Sequence, residues 1–405
     1  MKKSRIIISL VLILGLVQLF SSEFELHADE TESKMVTFHS TYETGLQIKE
    51  LPDPIPRFTF NSGLHFEYPD AVRGIYVTGH SAGGSRFEDL IEFINDTPLN
   101  SMVIDVKDDY GKITYKLPED LYGHEFSESY IDDPRAMLER LEEEGIYPIA
   151  RVVVFKDSEL AKSKPEWSFL EDGEVWVNGR GEAFVNPFVQ DVWEYNIDIA
   201  KHAVELGFQE IQLDYVRFPE GFETRDEMLD YTRGDYEDAG LDNVRERVTA
   251  VNEFVEYSYN ELEPYGVDVS VDIFGYAATV EDAPGIGQNF LGISENVDVI
   301  SSMIYPSHWT PYFGIDEPDR EPYNVVNEYS QVENELLAEL DDPPVSRPWL
   351  QDFTASWLYS SGNVFTYGPD EVTAQIQALY DNDIYEYLLW DPSNRYTRDA
   401  NFDPR

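Results

Sequence analysis

Between residues 74 and 390 the chain alternates apolar runs of strand length with stretches patterned as helices, and that order leaves few folds open. The strand candidates are Gly74–Thr78, Ser101–Val106, Tyr147–Phe155, Glu210–Val216, Asp268–Phe274, Asp298–Tyr305, Pro348–Phe353 and Tyr385–Trp390. Helical patterns fall at Phe87–Asn95, Arg135–Glu144, Val192–Leu206, Val244–Leu262, Val325–Leu340 and Glu371–Tyr380, with Gly145, Gly207 and Gly266 just past three of them. A glycine there suits a left-handed helix cap. Strands separated by helices must run parallel, and eight of them close a barrel. The expected fold is therefore α/β, a (β/α)8 TIM-type barrel over residues 68–405. A doubly wound open sheet is the structural alternative. The gap between the fifth and sixth strands is short for a full crossover helix.

The N-terminus reads differently. Lys2, Lys3 and Arg5 precede an apolar run from Ile6 to Phe20, and Leu26-His27-Ala28 offers a cleavage point before Asp29. That is the layout of a secretory signal over residues 1–28. The run is shorter than the roughly 20 residues a bilayer span needs, though an uncleaved N-terminal anchor is the alternative. Either way the body of the protein is expected outside the cytoplasm, secreted or at the cell surface. Residues 29–67 are polar and carry Leu51-Pro-Asp-Pro-Ile-Pro56, a stiff piece expected to form a linker or irregular arm. The 79 acidic against 29 basic residues give a formal charge of −50. Such a field repels nucleic acid and anionic membrane surfaces, so neither is an expected partner. Because the acid is spread along the chain, it points to a solvated surface suited to salt or high pH. With no cysteine, disulfides, thiolate metal sites and a cysteine nucleophile are excluded.

Two strands place carboxylates where barrels do chemistry. In Glu210-Ile-Gln-Leu-Asp-Tyr-Val-Arg-Phe-Pro219, Ile211 and Leu213 point one way while Gln212 and Asp214 point the other. In Val269-Ser-Val-Asp-Ile-Phe274, Ser270 and Asp272 share a face. Inward acids near strand C-terminal ends suggest an acid/base pair of glycosidase type, Asp214 as nucleophile or base and Asp272 as general acid. A capping role for either Asp is the plainer alternative. Asp105, Lys107 and Asp108 end the second strand and Asp391 the eighth, each a candidate for sugar hydroxyls or a solvated strand end. Arg151 in strand three needs a carboxylate such as Asp105 or Asp214 if it faces the lumen. Arg217 is placed to lower the pKa of Asp214. Tyr305, Trp309, Trp357 and Trp390 near strand ends are candidates for stacking on sugar rings, with core packing as the alternative. Trp176-Val-Asn-Gly-Arg-Gly181 carries an Asn-Gly hairpin signal. No phosphate loop, dinucleotide fingerprint, HExxH or EF-hand loop is present, so neither cofactor nor metal is expected.

Gly79-His80-Ser81-Ala82-Gly83 matches the G-x-S-x-G nucleophile elbow and sits between strand and helix. An esterase using Ser81 would need strands and an oxyanion loop before the elbow, and the domain begins only some ten residues earlier. A glycine-rich first loop with Ser85 or a neighbour capping the helix is the better reading.

Taken in order, Val72-Arg-Gly-Ile-Tyr-Val77, Pro165-Glu-Trp167, Val185-Asn-Pro187, Val192-Trp-Glu-Tyr-Asn-Ile197 and the Glu210–Pro219 motif resemble a bacterial family of glycoside hydrolases long known only as a domain of unknown function. The resemblance spans about residues 70–400. It implies a TIM-type barrel distantly related to the α-amylase and α-galactosidase groups. In those groups the strand-four Asp is the nucleophile, and Asp214 matches it. Their acid lies on strand five or six; strand six here carries no carboxylate, which leaves Asp272, where the amylase group has Glu. A chitinase-type site would want Glu at position 216, which is Val. The expected function is thus a secreted glycosidase acting on an extracellular or cell-envelope polysaccharide. A carbohydrate-binding barrel without turnover is the alternative.

Overall fold

The computed structural model describes residues 60–237, 240–359 and 363–405. The segments expected to be a secretory signal and most of the proline-rich arm lie outside those residues. Eight parallel strands form the barrel: β1 (Arg73–Val77), β2 (Ser101–Lys107), β3 (Tyr147–Val153), β4 (Glu210–Asp214), β5 (Asp268–Phe274), β6 (Val299–Met303), β7 (Trp349–Gln351) and β8 (Tyr387–Trp390). Each pairs with the next, β8 returns to β1, and the β6–β7 seam closes through Met303 beside Trp349. The open-sheet alternative is thereby excluded.

Seven helices cross between the strands: α1 (Arg86–Asn95), α2 (Pro134–Glu144), α3 (Gln190–Leu206), α4 (Asn243–Leu262), α5 (Phe290–Ser294), α6 (Pro322–Leu337) and α7 (Pro369–Tyr380). Asp133 starts α2 by accepting from Ala136 N, and Asp242 starts α4 by accepting from Val244 N and Arg245 N. Gly145 ends α2 at φ +68°. The short gap between β5 and β6 holds a 3-10 turn, Gly275–Thr279, and the five-residue α5, both too brief for sequence periodicity to register. Among the described residues no helix is long and apolar enough to cross a membrane.

Ser81 belongs to a four-residue helical turn, Gly79–Ala82, and donates its own backbone N–H to the Thr78 side chain that caps the turn. Its hydroxyl accepts from Thr78 Oγ1 at 3.1 Å, and the neighbouring His80 ring packs on Tyr130. That is a capped turn, not a serine nucleophile. Ser85, expected to cap α1, makes no side-chain cap bond.

The strand period of two sorts the barrel into two environments. Ile211, Leu213, Val269, Val271 and Ile273 face the helices and join the main apolar core. The opposite positions face a lumen that is polar at both ends around Val103, Ile149, Trp349 and Leu388. At the strand-start end, Arg347 donates to Glu210 and Glu386 at 2.8 Å each and to the Tyr68 hydroxyl at 2.7 Å. Both Glu210 and Arg347 are fully buried. A buried charge is tolerable only when paired, so this network seals the floor. Tyr68, from the segment preceding β1, is one of its members.

Candidate active site

At the opposite end, β2, the turn after it, β4 and β5 supply four carboxyls, three of which bond the Arg151 guanidinium. Arg151 on β3 donates from Nη1 to Asp105 Oδ1 at 2.7 Å and from Nη2 to Asp109 Oδ1 at 2.9 Å. Asp214 Oδ2 accepts from both Nε, at 2.9 Å, and Nη2, at 2.6 Å. The Tyr76 hydroxyl donates to the other oxygen of Asp105 at 2.6 Å. Lys156 reaches Asp109 at 3.7 Å and Glu182 at 2.8 Å. Asp272, on β5, accepts from Trp349 Nε1 at 2.8 Å and is only 1% exposed. The β4–β5 register pairs Gln212 with Ser270 and Leu213 with Val271. One step further along, Asp214 and Asp272 stand side by side, where adjacent strands are about 4.8 Å apart.

This environment raises the proton affinity of two of the carboxyls. Burial raises Asp272 well above the ordinary carboxylate range, and the charge of Asp214 raises it further; the Trp349 N–H and Arg151 offset only part. Burial lifts Asp105 to about 7 against the pull of Arg151 and Tyr76. Asp214 has a different setting, with two charge-assisted hydrogen bonds on Oδ2 and the Tyr215 amide on Oδ1 at 2.6 Å. A carboxylate offers about four acceptor positions. Three of those on Asp214 are taken, so one Oδ1 lone pair remains to meet a substrate.

Tyr215 holds φ at +53°, a left-handed conformation that a non-glycine residue adopts at a cost of roughly 1–3 kcal/mol. The turn it makes ends β4 directly after Asp214. It also breaks the strand period, which redirects Arg217. That side chain does not reach Asp214, as the sequence suggested. Its guanidinium lies between the Tyr215 ring, 4.5 Å from the centroid, and the Phe274 ring at 4.3 Å. Its ion-pair partner is Glu220 at 3.4 Å. The cation on Asp214 is Arg151.

The remaining sequence candidates divide. Trp390 stacks on Tyr76 at 4.0 Å with Arg151 beneath it, and sets its edge against Trp349 at 5.4 Å. Tyr305 is buried beside Trp390, and burial, then Asp272 and Asp214, raise its phenol well above the usual range. Trp309 packs instead with Tyr312, Phe313 and Tyr329 of α6. Asp391 accepts from Ser393 N and Arg395 N, so its carboxylate caps the turn after β8. Lys107 points toward the helices, in a fully buried ion pair with Asp157 at 2.6 Å. Asp108 accepts from Tyr110 N and Lys112 N, a second turn cap. The Asn-Gly hairpin forms, with Val177 bridged to Ala183, but its left-handed residue is Gly181 rather than Gly179. Sequence reasoning missed Tyr76, Asp109, Lys156 and Trp349. Tyr76 shares the lumen-facing parity of β1 with Gly74, a signal that was available.

A closed (β/α)8 barrel with carboxyls gathered at the C-terminal strand ends is the architecture of a glycoside hydrolase. The chain belongs to the family described as "Putative glycosyl hydrolase domain", whose model matches residues 74–396; it is a glycosidase of TIM-barrel type. Among solved structures it is similar to the PgaB (BpsB) glycoside hydrolase domain from Bordetella bronchiseptica. That match has 13% identity and a TM-score of 0.58, over 82% of this chain and 98% of that one. At this identity it bears on the fold alone. A hypothetical protein from Ruminiclostridium thermocellum shares 30% identity over 49% of this chain and 96% of its own, with a TM-score of 0.42. An α-galactosidase from Thermus thermophilus shares 11% identity over 84% of this chain and 67% of its own, with a TM-score of 0.49. A search of curated proteins returns no match.

Proposed function

We propose that this glycosidase is exported and cleaves an extracellular or cell-envelope polysaccharide through Asp214 and Asp272. The observation that carries the reading is the contrast between two neighbouring carboxyls. Asp214 is clamped by the Arg151 guanidinium, and Asp272 is buried against an indole N–H. An oxocarbenium-like transition state needs one carboxylate charged and one carboxyl protonated. Asp214 is then the nucleophile and Asp272 the acid that protonates the leaving oxygen. They sit on adjacent strands, whose backbones run about 4.8 Å apart, a placement that favours the short carboxyl separation of retaining enzymes, roughly 5–5.5 Å, over the roughly 6.5–9.5 Å of inverting ones. The test is reducing-sugar release from a panel of polysaccharides, with product anomers followed by NMR. Release with retained configuration is the expected result; binding to the panel without any release would favour the carbohydrate-binding barrel.

The state of Asp272 sets a pH limit. Activity is expected to fall on the alkaline side as this acid loses its proton. Trp349 donates to the charged form and so lowers the pKa. Trp349→Phe should therefore move the alkaline limb of the kcat/KM profile to higher pH. A limb that stays in place or moves down would remove Asp272 from the acid role.

Export rests on the basic, apolar and small-residue layout of residues 1–28. Mass measurement of the extracellular product should show loss of residues 1–28. An intact N-terminus in the membrane fraction would favour the anchor.

A further inference from the structure

A single exposed aromatic ring is ordinary on a protein surface, but a continuous row of them running from a site to its rim marks a ligand-binding groove. Trp357, in the turn after β7, is 63% exposed, yet its ring is held by stacking on Phe353 at 5.8 Å and 24°. Phe353 in turn meets Tyr305 at 5.9 Å, and Tyr305 meets Trp390 at 6.5 Å. His308 sits among them, 5.3 Å from Tyr305 and 6.1 Å from Trp357. Exposure rises along the row, from buried Tyr305 through half-buried Phe353 to Trp357. One end of the row lies beside Asp214 and Asp272, and the other opens on the rim.

We propose that Tyr305, Phe353 and Trp357 form a binding strip for a glycan chain without negative charge, so that the enzyme engages an internal stretch of polymer rather than a terminal sugar. This rests on the glycosidase reading and extends it. The centroid spacing of about 6 Å between successive rings is of the order of one pyranose unit; Phe353 and Trp357 lie near-parallel at 24° and Tyr305 stands edge-on to Phe353 at 67°, so the C–H faces of successive sugars meet a stepped aromatic wall that ends at Tyr305. Rings already packed on one another lose little freedom when a sugar lands on them. The occupant is a glycan rather than a protein because the strip is continuous with the carboxylate site at Tyr305. A polyanionic chain is disfavoured by the −50 formal charge.

The experiment is calorimetric titration of the whole secreted protein with soluble β-glucan, xylan, starch, galactomannan and chitosan oligosaccharides of increasing length. Hyaluronan serves as the anionic probe. Affinity should rise with chain length for at least one uncharged or cationic series, and hyaluronan should not bind. Trp357→Ala, at an exposed position where folding is not at stake, should weaken the longest oligosaccharide about tenfold and the disaccharide by less than about twofold. Trp357→Phe should restore most of the loss. Equal affinity for long and short chains, no binding of any series, or an unchanged long-chain affinity in Trp357→Ala would each overturn the strip. So would a change of oligomeric state in Trp357→Ala with glycan affinity intact, which would make the strip a contact between copies. If the strip binds as expected but the wild type releases no sugar, the strip stands and the catalytic roles of Asp214 and Asp272 fall.

Discussion

Asp214→Asn is expected to lower turnover by at least roughly 10³-fold on every substrate the wild type cleaves. The substitution is isosteric, but it removes the charge that stabilises the oxocarbenium-like transition state and the lone pair that would form the covalent intermediate. It also has a local structural cost. Asp214 Oδ2 faces Arg151 donors and Oδ1 faces the Tyr215 amide, so an amide nitrogen at either position meets a donor. That costs about 1–3 kcal/mol, an amount a barrel core of this size should absorb. A near-native thermal melt therefore belongs with the assay. Chemical rescue separates nucleophile from mere charge: Asp214→Gly with added azide should form a glycosyl azide, because the small anion occupies the vacated position. If Asp214→Asn keeps a tenth or more of wild-type turnover, the nucleophile lies elsewhere.

Much of this site was legible because the strand period is arithmetic. Once Ile211 and Leu213 face the helices, Gln212 and Asp214 must face the lumen, and the same count places Ser270 and Asp272 there. Parity also places Asp105 and Arg151 inward, and their pairing follows from the cost of a buried guanidinium without a carboxylate. What parity cannot give is anything beyond the strand end. Arg217 lies three residues past Asp214, but the left-handed Tyr215 intervenes and turns it onto Phe274. Asp391 and Asp108 were ambiguous for the same reason: a carboxylate at a strand end either caps the next turn or faces the cleft, and backbone geometry decides. Trp309 follows a short helical turn, Pro306–His308, that aims it at α6. Contacts between distant strands, such as Trp349 on Asp272, depend on how the barrel closes, and no local pattern encodes that.

Arg151→Met is the second substitution with a large expected effect, acting on stability and catalysis together. Arg151 is 1% exposed and bridges Asp105, Asp109 and Asp214. Without it, among the described residues Lys156 is the cation left in ion-pair reach of this cluster, and the carboxylate it reaches there is Asp109, at 3.7 Å. Removing one partner of a buried ion pair costs about 3–5 kcal/mol, because the other charge stays buried and uncompensated. The sign of the pH dependence follows. Loss of the guanidinium removes the charge that holds Asp105 down, so the folded-state pKa of Asp105, already about 7, rises further above its unfolded value. A carboxyl with a raised folded pKa contributes stability that is present at low pH and lost as pH rises through that value. The melting-temperature deficit of Arg151→Met relative to wild type should therefore be larger at about pH 8 than at about pH 5. Combining it with Asp214→Asn should recover part of the deficit, since one buried charge is then gone. Arg151→Lys should fall between, a single ammonium being unable to hold three carboxylates in a planar fork. Turnover should fall in Arg151→Met even at pH values where the protein is fully folded, because Asp214 loses both charge-assisted bonds that orient its carboxylate. A variant that melts like the wild type at both pH values would mean that Asp105 and Asp214 are solvated rather than buried beside Arg151.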